Sequence, residues 1–134
     1  SGHYVEAAQR FLEAKERYPV GSGDWAEATG AAFNTLTQEE CAEVAKPEWW
    51  NDGELKALSA MVVRAAPDDM QAHQMRALVL SGQYGAWKVG PRSAAELMKA
   101  ATHFERAAAL HPALAVRDAL AGNAAWCRSQ AGAM

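Results

Sequence analysis

The sequence predicts an all-α fold of antiparallel helix pairs, six or seven helices in 134 residues, and three observations predict it. Alanine dominates the chain, and alanine has the highest helix propensity and little reason to be in a strand. Strand formers nowhere alternate with polar residues over a useful length, so the period-two pattern of a half-buried strand is missing. Prolines and glycines punctuate apolar stretches of helical periodicity, with capping residues beside several of them.

The first helix is predicted over His3 to Tyr18, with Val5, Ala8, Phe11, Leu12 and Ala14 near one face at three- and four-residue steps. Pro19 ends it, because its ring disfavours helical geometry at the residue before it, and Val20 to Gly23 is a turn. The second helix runs from Asp24 to Leu36, with Trp25, Ala28, Ala32 and Phe33 inward. Thr37 followed by Glu40 has the pattern of a capping box and opens a short third helix, which Lys46-Pro47 interrupts. Trp49-Trp50-Asn51-Asp52 leads into a fourth helix, Gly53 to Ala66, with Leu55, Leu58, Met61 and Val62 inward and Pro67 as its stop.

Asp68-Asp69 caps the fifth helix, Met70 to Leu80, and Gly82 sits where a left-handed residue closes a helix. Ser81 to Arg92 holds Gly82, Gly85, Gly90 and Pro91 and has the composition of a long loop. Ser93 with Glu96 is a second capping box, opening the sixth helix, which reaches His111 before Pro112. The last helix, Ala115 to Arg128, places Leu120, Ala124 and Trp126 at a helix interface, ahead of a frayed tail from Gln130 to Met134.

Two helices share one ending: Ala7, Phe11, Ala14 and Pro19 recur in the same register as Ala100, Phe104, Ala107 and Pro112, and Leu55, Ser59, Val62 and Pro67 are a looser copy. Small residues let helix axes approach, phenylalanine fills the gap between pairs, and proline closes the unit. This A-x3-F-x2-A-x4-P spacing resembles the second helix of a tetratricopeptide repeat. Trp25, Ala77 and Gly122 fall on the tryptophan, small-residue and glycine positions of the first helix that would follow each proline. The prolines lie 48 and then 45 residues apart, against about 34 in the family. The extra material is Thr37 to Trp50 in one interval and Ser81 to Arg92 in the next.

The resemblance implies a short right-handed superhelix of about three helix pairs plus one extra helix, forming a single domain over residues 1–134. The chain begins inside a second helix and ends after a first one, which implies a piece of a longer solenoid. A protein-binding groove lined by first helices is also implied, with Gln71, Gln74 and Leu78 of the fifth helix directed toward it. The peptide-carboxylate clamp of some family members needs lysines and asparagines; Asn123 occupies one such place without a lysine, so that activity is not expected.

A net charge of -3 without a basic stripe argues against a nucleic-acid partner. The charge is uneven: residues 1–67 carry eleven acidic and six basic side chains, residues 68–134 five and seven. The longest apolar stretches, such as Leu78 to Leu80 and Ala107 to Leu110, fall far short of the roughly 20 residues that cross a bilayer, so neither a transmembrane segment nor a signal peptide is expected. Cys41 and Cys127 form no CxxC or Cys/His cluster, which fits a reducing compartment such as the cytoplasm and suggests no disulfide framework or zinc site.

Catalysis needs convergent groups, and none is evident. His103 lies in Thr102-His103-Phe104-Glu105-Arg106, not in an HExxH arrangement, and both it and His73 are expected on helix surfaces. Glu39, Glu40 and Glu43 are explained by helix capping. Gly21-Ser22-Gly23 lacks the preceding strand and following lysine-serine pair of a phosphate loop, and Cys127 is expected to be a small buried thiol. No cofactor or metal is expected. Without a base and nucleophile pair, an enzyme with a helical pocket ranks behind a module binding a peptide or helix of a partner protein, and behind a structural segment of a larger assembly.

The aromatic residues of the two lengthened connections carry the remaining information. Trp49 and Trp50 in one, and Tyr84 and Trp87 beside Lys88 and Arg92 in the other, either seal the ends of the helix pairs or form an aromatic and basic contact surface. Trp, Tyr and Arg are favoured binding anchors. Together with Gln71, Gln74 and Leu78, these six residues are the predicted partner-binding set.

Overall fold

A computed structural model describes residues 3–84 and 90–134, and every long regular element in them is a helix. The order is α1 (His3–Arg17), α2 (Gly23–Leu36), α3 (Asp52–Ala65), α4 (Met70–Ser81), α5 (Ala94–Leu110) and α6 (Leu114–Gly132), with one 3-10 turn, Glu39–Cys41, between α2 and α3. No described helix is long and apolar enough to cross a membrane.

Local chemistry sets most helix starts. The Ser22 hydroxyl accepts from Trp25 N at 3.2 Å, Asn51 Oδ1 from Glu54 N at 3.0 Å and Asp69 Oδ2 from Ala72 N at 3.0 Å, each satisfying an amide that has no partner inside its helix. The Ser93 capping box is complete: its hydroxyl accepts from Glu96 N at 3.1 Å, and Glu96 Oε1 accepts from Ser93 N at 3.0 Å. Gly82 closes α4 at φ 74°, a left-handed conformation that glycine adopts without a Cβ penalty.

The expected third helix is only the 3-10 turn. Thr37 closes α2 instead of opening a new helix: its backbone N–H donates to Phe33 O at 3.2 Å in helical register, and its hydroxyl donates back to Asn34 O at 2.6 Å. The expected fraying is also absent at the other end: α6 continues to Gly132, with Ala131 packed inward.

Consecutive helices pack on one another, and the short α1–α2, α3–α4 and α5–α6 connections make those pairs antiparallel. In addition α2 packs on α4, which gives α4 contacts with α2, α3 and α5. Gly30 permits the α2–α4 approach: a Cβ there would lie 3.3 Å from the Gln71 backbone. Two cores result. The first gathers Trp25, Phe33, Leu36, Leu55, Val62, Met75 and Val79; the second gathers Ala77, Leu80, Ala100, Phe104, Ala107, Leu120 and Cys127. Leu78 touches both.

The shared endings do not share their burial. Phe104 is fully buried because α5 lies between α4 and α6, whereas Phe11 is 37 % exposed because α1 is flanked chiefly by α2. Trp126, expected at an interface, is 43 % exposed: Leu120, Ala124, Cys127 and Ala131 form the stripe against α5 and leave the indole off it. Phe104→Ala is therefore expected to destabilise the fold by about 3–5 kcal/mol in urea denaturation, through the cavity it leaves. Phe11→Ala should cost about 1 kcal/mol or less.

Candidate functional site

The lengthened connections are sealed by aromatic packing. Trp50 stacks on Phe33 of α2 at 4.7 Å between ring centroids, and the buried Tyr84 ring meets Trp50 edge-on at 6.2 Å. The neighbouring tryptophans diverge. Trp50 is buried, while Trp49 stays half-buried with the Lys15 ammonium 5.7 Å above its ring. Lys46 Nζ donates to Cys41 O at 2.7 Å and Val44 O at 2.9 Å, supplying a donor to carbonyls of an irregular segment.

Asp52, at the first position of α3, organises a second group. Arg92 clamps its carboxylate with both terminal nitrogens, Nη2 to Oδ1 at 2.6 Å and Nη1 to Oδ2 at 3.0 Å, and the Tyr84 hydroxyl donates to Oδ1 at 2.6 Å. The same guanidinium donates to Val79 O and Gly90 O, each at 2.9 Å, so it ties the end of α4 and the start of the next segment to α3. Lys56 bridges Glu96 at 2.8 Å. The Arg92 hydrogen bond holds the Asp52 carboxyl down to about 2, and Lys56 together with the Ser93 amide does the same for Glu96, also to about 2. Burial, and then the hydrogen bond to Asp52, push the Tyr84 hydroxyl up. Asp52, Tyr84 and Arg92 are committed to one another, so this group is a pin and not a reactive centre.

An open groove lies elsewhere. Phe11, Ala14 and Tyr18 from α1 and its end, Asp24, Glu27, Ala28 and Ala31 of α2, and Asp69 and Gln71 at the start of α4 enclose about 540 Å³. That volume is in the range of ligand sites. Phe11 and Tyr18, the latter 41 % exposed, offer aromatic surface that little of the fold covers. The charged lining residues are Asp24, Glu27 and Asp69, all acidic. Burial raises the Asp69 carboxyl, while the Ala72 amide it caps pulls the other way. Gln71 is held by Asn34 Nδ2, which donates to its backbone O at 3.0 Å and its Oε1 at 2.6 Å.

The predicted partner-binding residues separate in space. Gln71 lines the groove; Gln74 and Leu78 lie half-buried further along α4, Leu78 between the two cores. Trp50, Tyr84 and Arg92 belong to the sealed connections, with Trp49 at their edge. Trp87 and Lys88 lie outside the described residues. Sequence reasoning missed Phe11, Tyr18, Asp24, Glu27 and Asp69 as a group; the acidic excess of residues 1–67 was the one signal, and it covers only Asp24 and Glu27. His73, expected on a surface, is 6 % exposed and stacked on His103. Among the described residues no three His, Cys, Asp or Glu side chains converge as a metal site requires. No family model matches the chain, and no curated protein or solved structure is significantly similar to it.

Asp52→Ala should destabilise the fold by about 3 kcal/mol, because it leaves the Arg92 charge buried without its partner. The acid dependence has a definite sign. Asp52 and Glu96 are held below their ordinary values of 3.8 and 4.5, so they stabilise the fold above those values. That stability is lost as pH falls through about 4 toward about 2, which thermal melting across this range measures.

Proposed function

We propose that this chain is a protein-interaction module whose α1–α2–α4 groove holds a peptide or helix of a partner protein rich in basic and apolar side chains. The observation that carries the reading is the combination of exposed Phe11 and Tyr18 with Asp24, Glu27 and Asp69 around one open groove. Aromatic rings at a groove supply apolar contact area at low entropic cost, and carboxylates around them favour and steer cationic segments. The tetratricopeptide-like register belongs to the same reading, since it directs Gln71 toward a groove. In this reading Trp50, Tyr84 and Arg92 act through shape, by holding α2, α3 and α4 in place.

A second reading, a structural segment of a larger assembly, is favoured by one observation: α6 leaves Leu114, Val116 and Trp126 exposed on a helix packed, among the described residues, chiefly on α5. Such a segment would dock through α6, not through the groove. Selection of peptides by display against the purified chain, followed by calorimetry, separates the two. The groove reading expects peptides combining Arg or Lys with an apolar anchor. Tyr18→Ala or Glu27→Lys should weaken them about tenfold or more, which is about 1.4 kcal/mol, without a change in melting. Added salt should weaken them further. Failure to enrich any peptide, or binding indifferent to both substitutions, would overturn it.

A further inference from the structure

The contacts of α1 with α2, α2 with α4, α4 with α5 and α5 with α6 set these helices in a row, with the groove at the α1 end and α6 at the other. The uncovered apolar surface is concentrated at the same two ends. Among the described residues, Met61 and Met98 are the only exposed large apolar side chains away from α1, α6 and the short segments that follow them. At the first end Tyr4, Phe11 and Tyr18 recur at seven-residue steps, about two helical turns, and so share one side. At the second, Leu114 is 71 % exposed.

The two ends also differ in charge. Asp24, Glu27 and Asp69 are the charged residues of the groove, and they join no ion pair among the described residues. Helix α6 carries Arg117 and Arg128 against a single acid, Asp118. Its inward stripe of Leu120, Ala124, Cys127 and Ala131 leaves Leu114, Arg117, Ala121 and Arg128 along one flank, at steps of three, four and seven residues. Glu105 holds Arg128 at 2.8 Å and answers its charge. Arg117 donates its Nε to the carbonyl of His111, which steadies the side chain one turn from Leu114, yet it joins no ion pair among the described residues. An apolar anchor one turn from an uncompensated cation is the chemistry that the groove asks of its occupant.

We infer that the helix held in the groove is α6 of a second copy of this chain, with Leu114 against Phe11 and Tyr18 and Arg117 among the carboxylates. The inference rests on the groove reading and names its occupant. A chain does not fill its own groove, because its α6 is packed on α5 at the far end of the row. Groove and helix are different surfaces, so the contact is heterologous, and copies joined through it close as a ring or grow as an open filament.

The test is sedimentation velocity of the full chain over a range of concentrations, at low and at high salt. The chain should associate as concentration rises, and added salt should return it toward the monomer. Tyr18→Ala in the groove and Leu114→Asp on α6, both at exposed positions, should each weaken association about tenfold or more without a change in melting. Mixed together they should form a one-to-one heterodimer, since the α6 of the first variant still fits the groove of the second. A saturating basic peptide selected against the groove should dissolve the assembly. A chain that is monomeric at every concentration overturns the inference. If a selected peptide still binds that chain and loses affinity in Tyr18→Ala, the groove reading stands and its occupant is another protein; if no peptide binds, both fall. Association that survives either substitution, or a mixture that fails to pair, overturns the inference too. Where a variant melts low, the peptide competition on the original chain decides, and an assembly that the peptide leaves intact overturns it.

Discussion

The fold depends on α4 being a wall shared by two cores. Ala72, Met75 and Val79 face the first, Ala77 and Leu80 the second, and Leu78 lies between them. Three of its polar side chains are committed as well: Gln71 to Asn34 of α2, His73 to His103 of α5, and Arg76 to α3. A helix whose apolar residues, from Ala72 to Leu80, lie on several of its sides is stable only when it is enclosed, which obliges α2, α3 and α5 to gather round it. Gly30 and the alanines of α5 are the sequence's provision for that approach.

The second core is built largely of alanine, which contributes little apolar area per residue. Two polar pins compensate at opposite ends of α4. The imidazole pair ties its first turns to α5, and the Arg92–Asp52 pair ties Val79 O near its last turn to α3. The Arg92 guanidinium holds the Asp52 carboxyl of the second pin down to about 2, and burial lowers the His103 imidazole of the first to about 4. The proposed groove adjoins the first pin, because Asp69 and Gln71 come from the same end of α4.

What is local in cause was legible in the sequence. Asp69, Gly82 and the Ser93–Glu96 box act within one turn, and each sits where its residue type predicts. Thr37 misled because one hydroxyl can either close a helix or open the next, and Asn34 O was the nearer partner. Phe11 and Trp126 misled for a different reason. Periodicity assigns a residue to a helix face, but burial needs a second helix against that face, and α1 and α6 each have few neighbours. The two pins were invisible: His73 and His103 are 30 residues apart and Asp52 and Arg92 are 40 apart, with no spacing motif to announce either. In the candidate site, Gln71 was singled out only through the resemblance to a tetratricopeptide repeat, which directs it toward a groove. Asp24 and Glu27 look like any solvated helix face until α1 is seen to bring Phe11 and Tyr18 beside them.

The shared wall is tested most directly by native-state hydrogen exchange at neutral pH, resolved amide by amide. If α4 holds both cores together, its central amides, around Met75 to Val79, should exchange only through global unfolding and be the slowest in the chain. The amides of α1 and α6, packed chiefly on one neighbour each, should open first. Exchange in α4 as fast as in α6 would contradict the account, because it would mean that the two cores form without the helix that joins them.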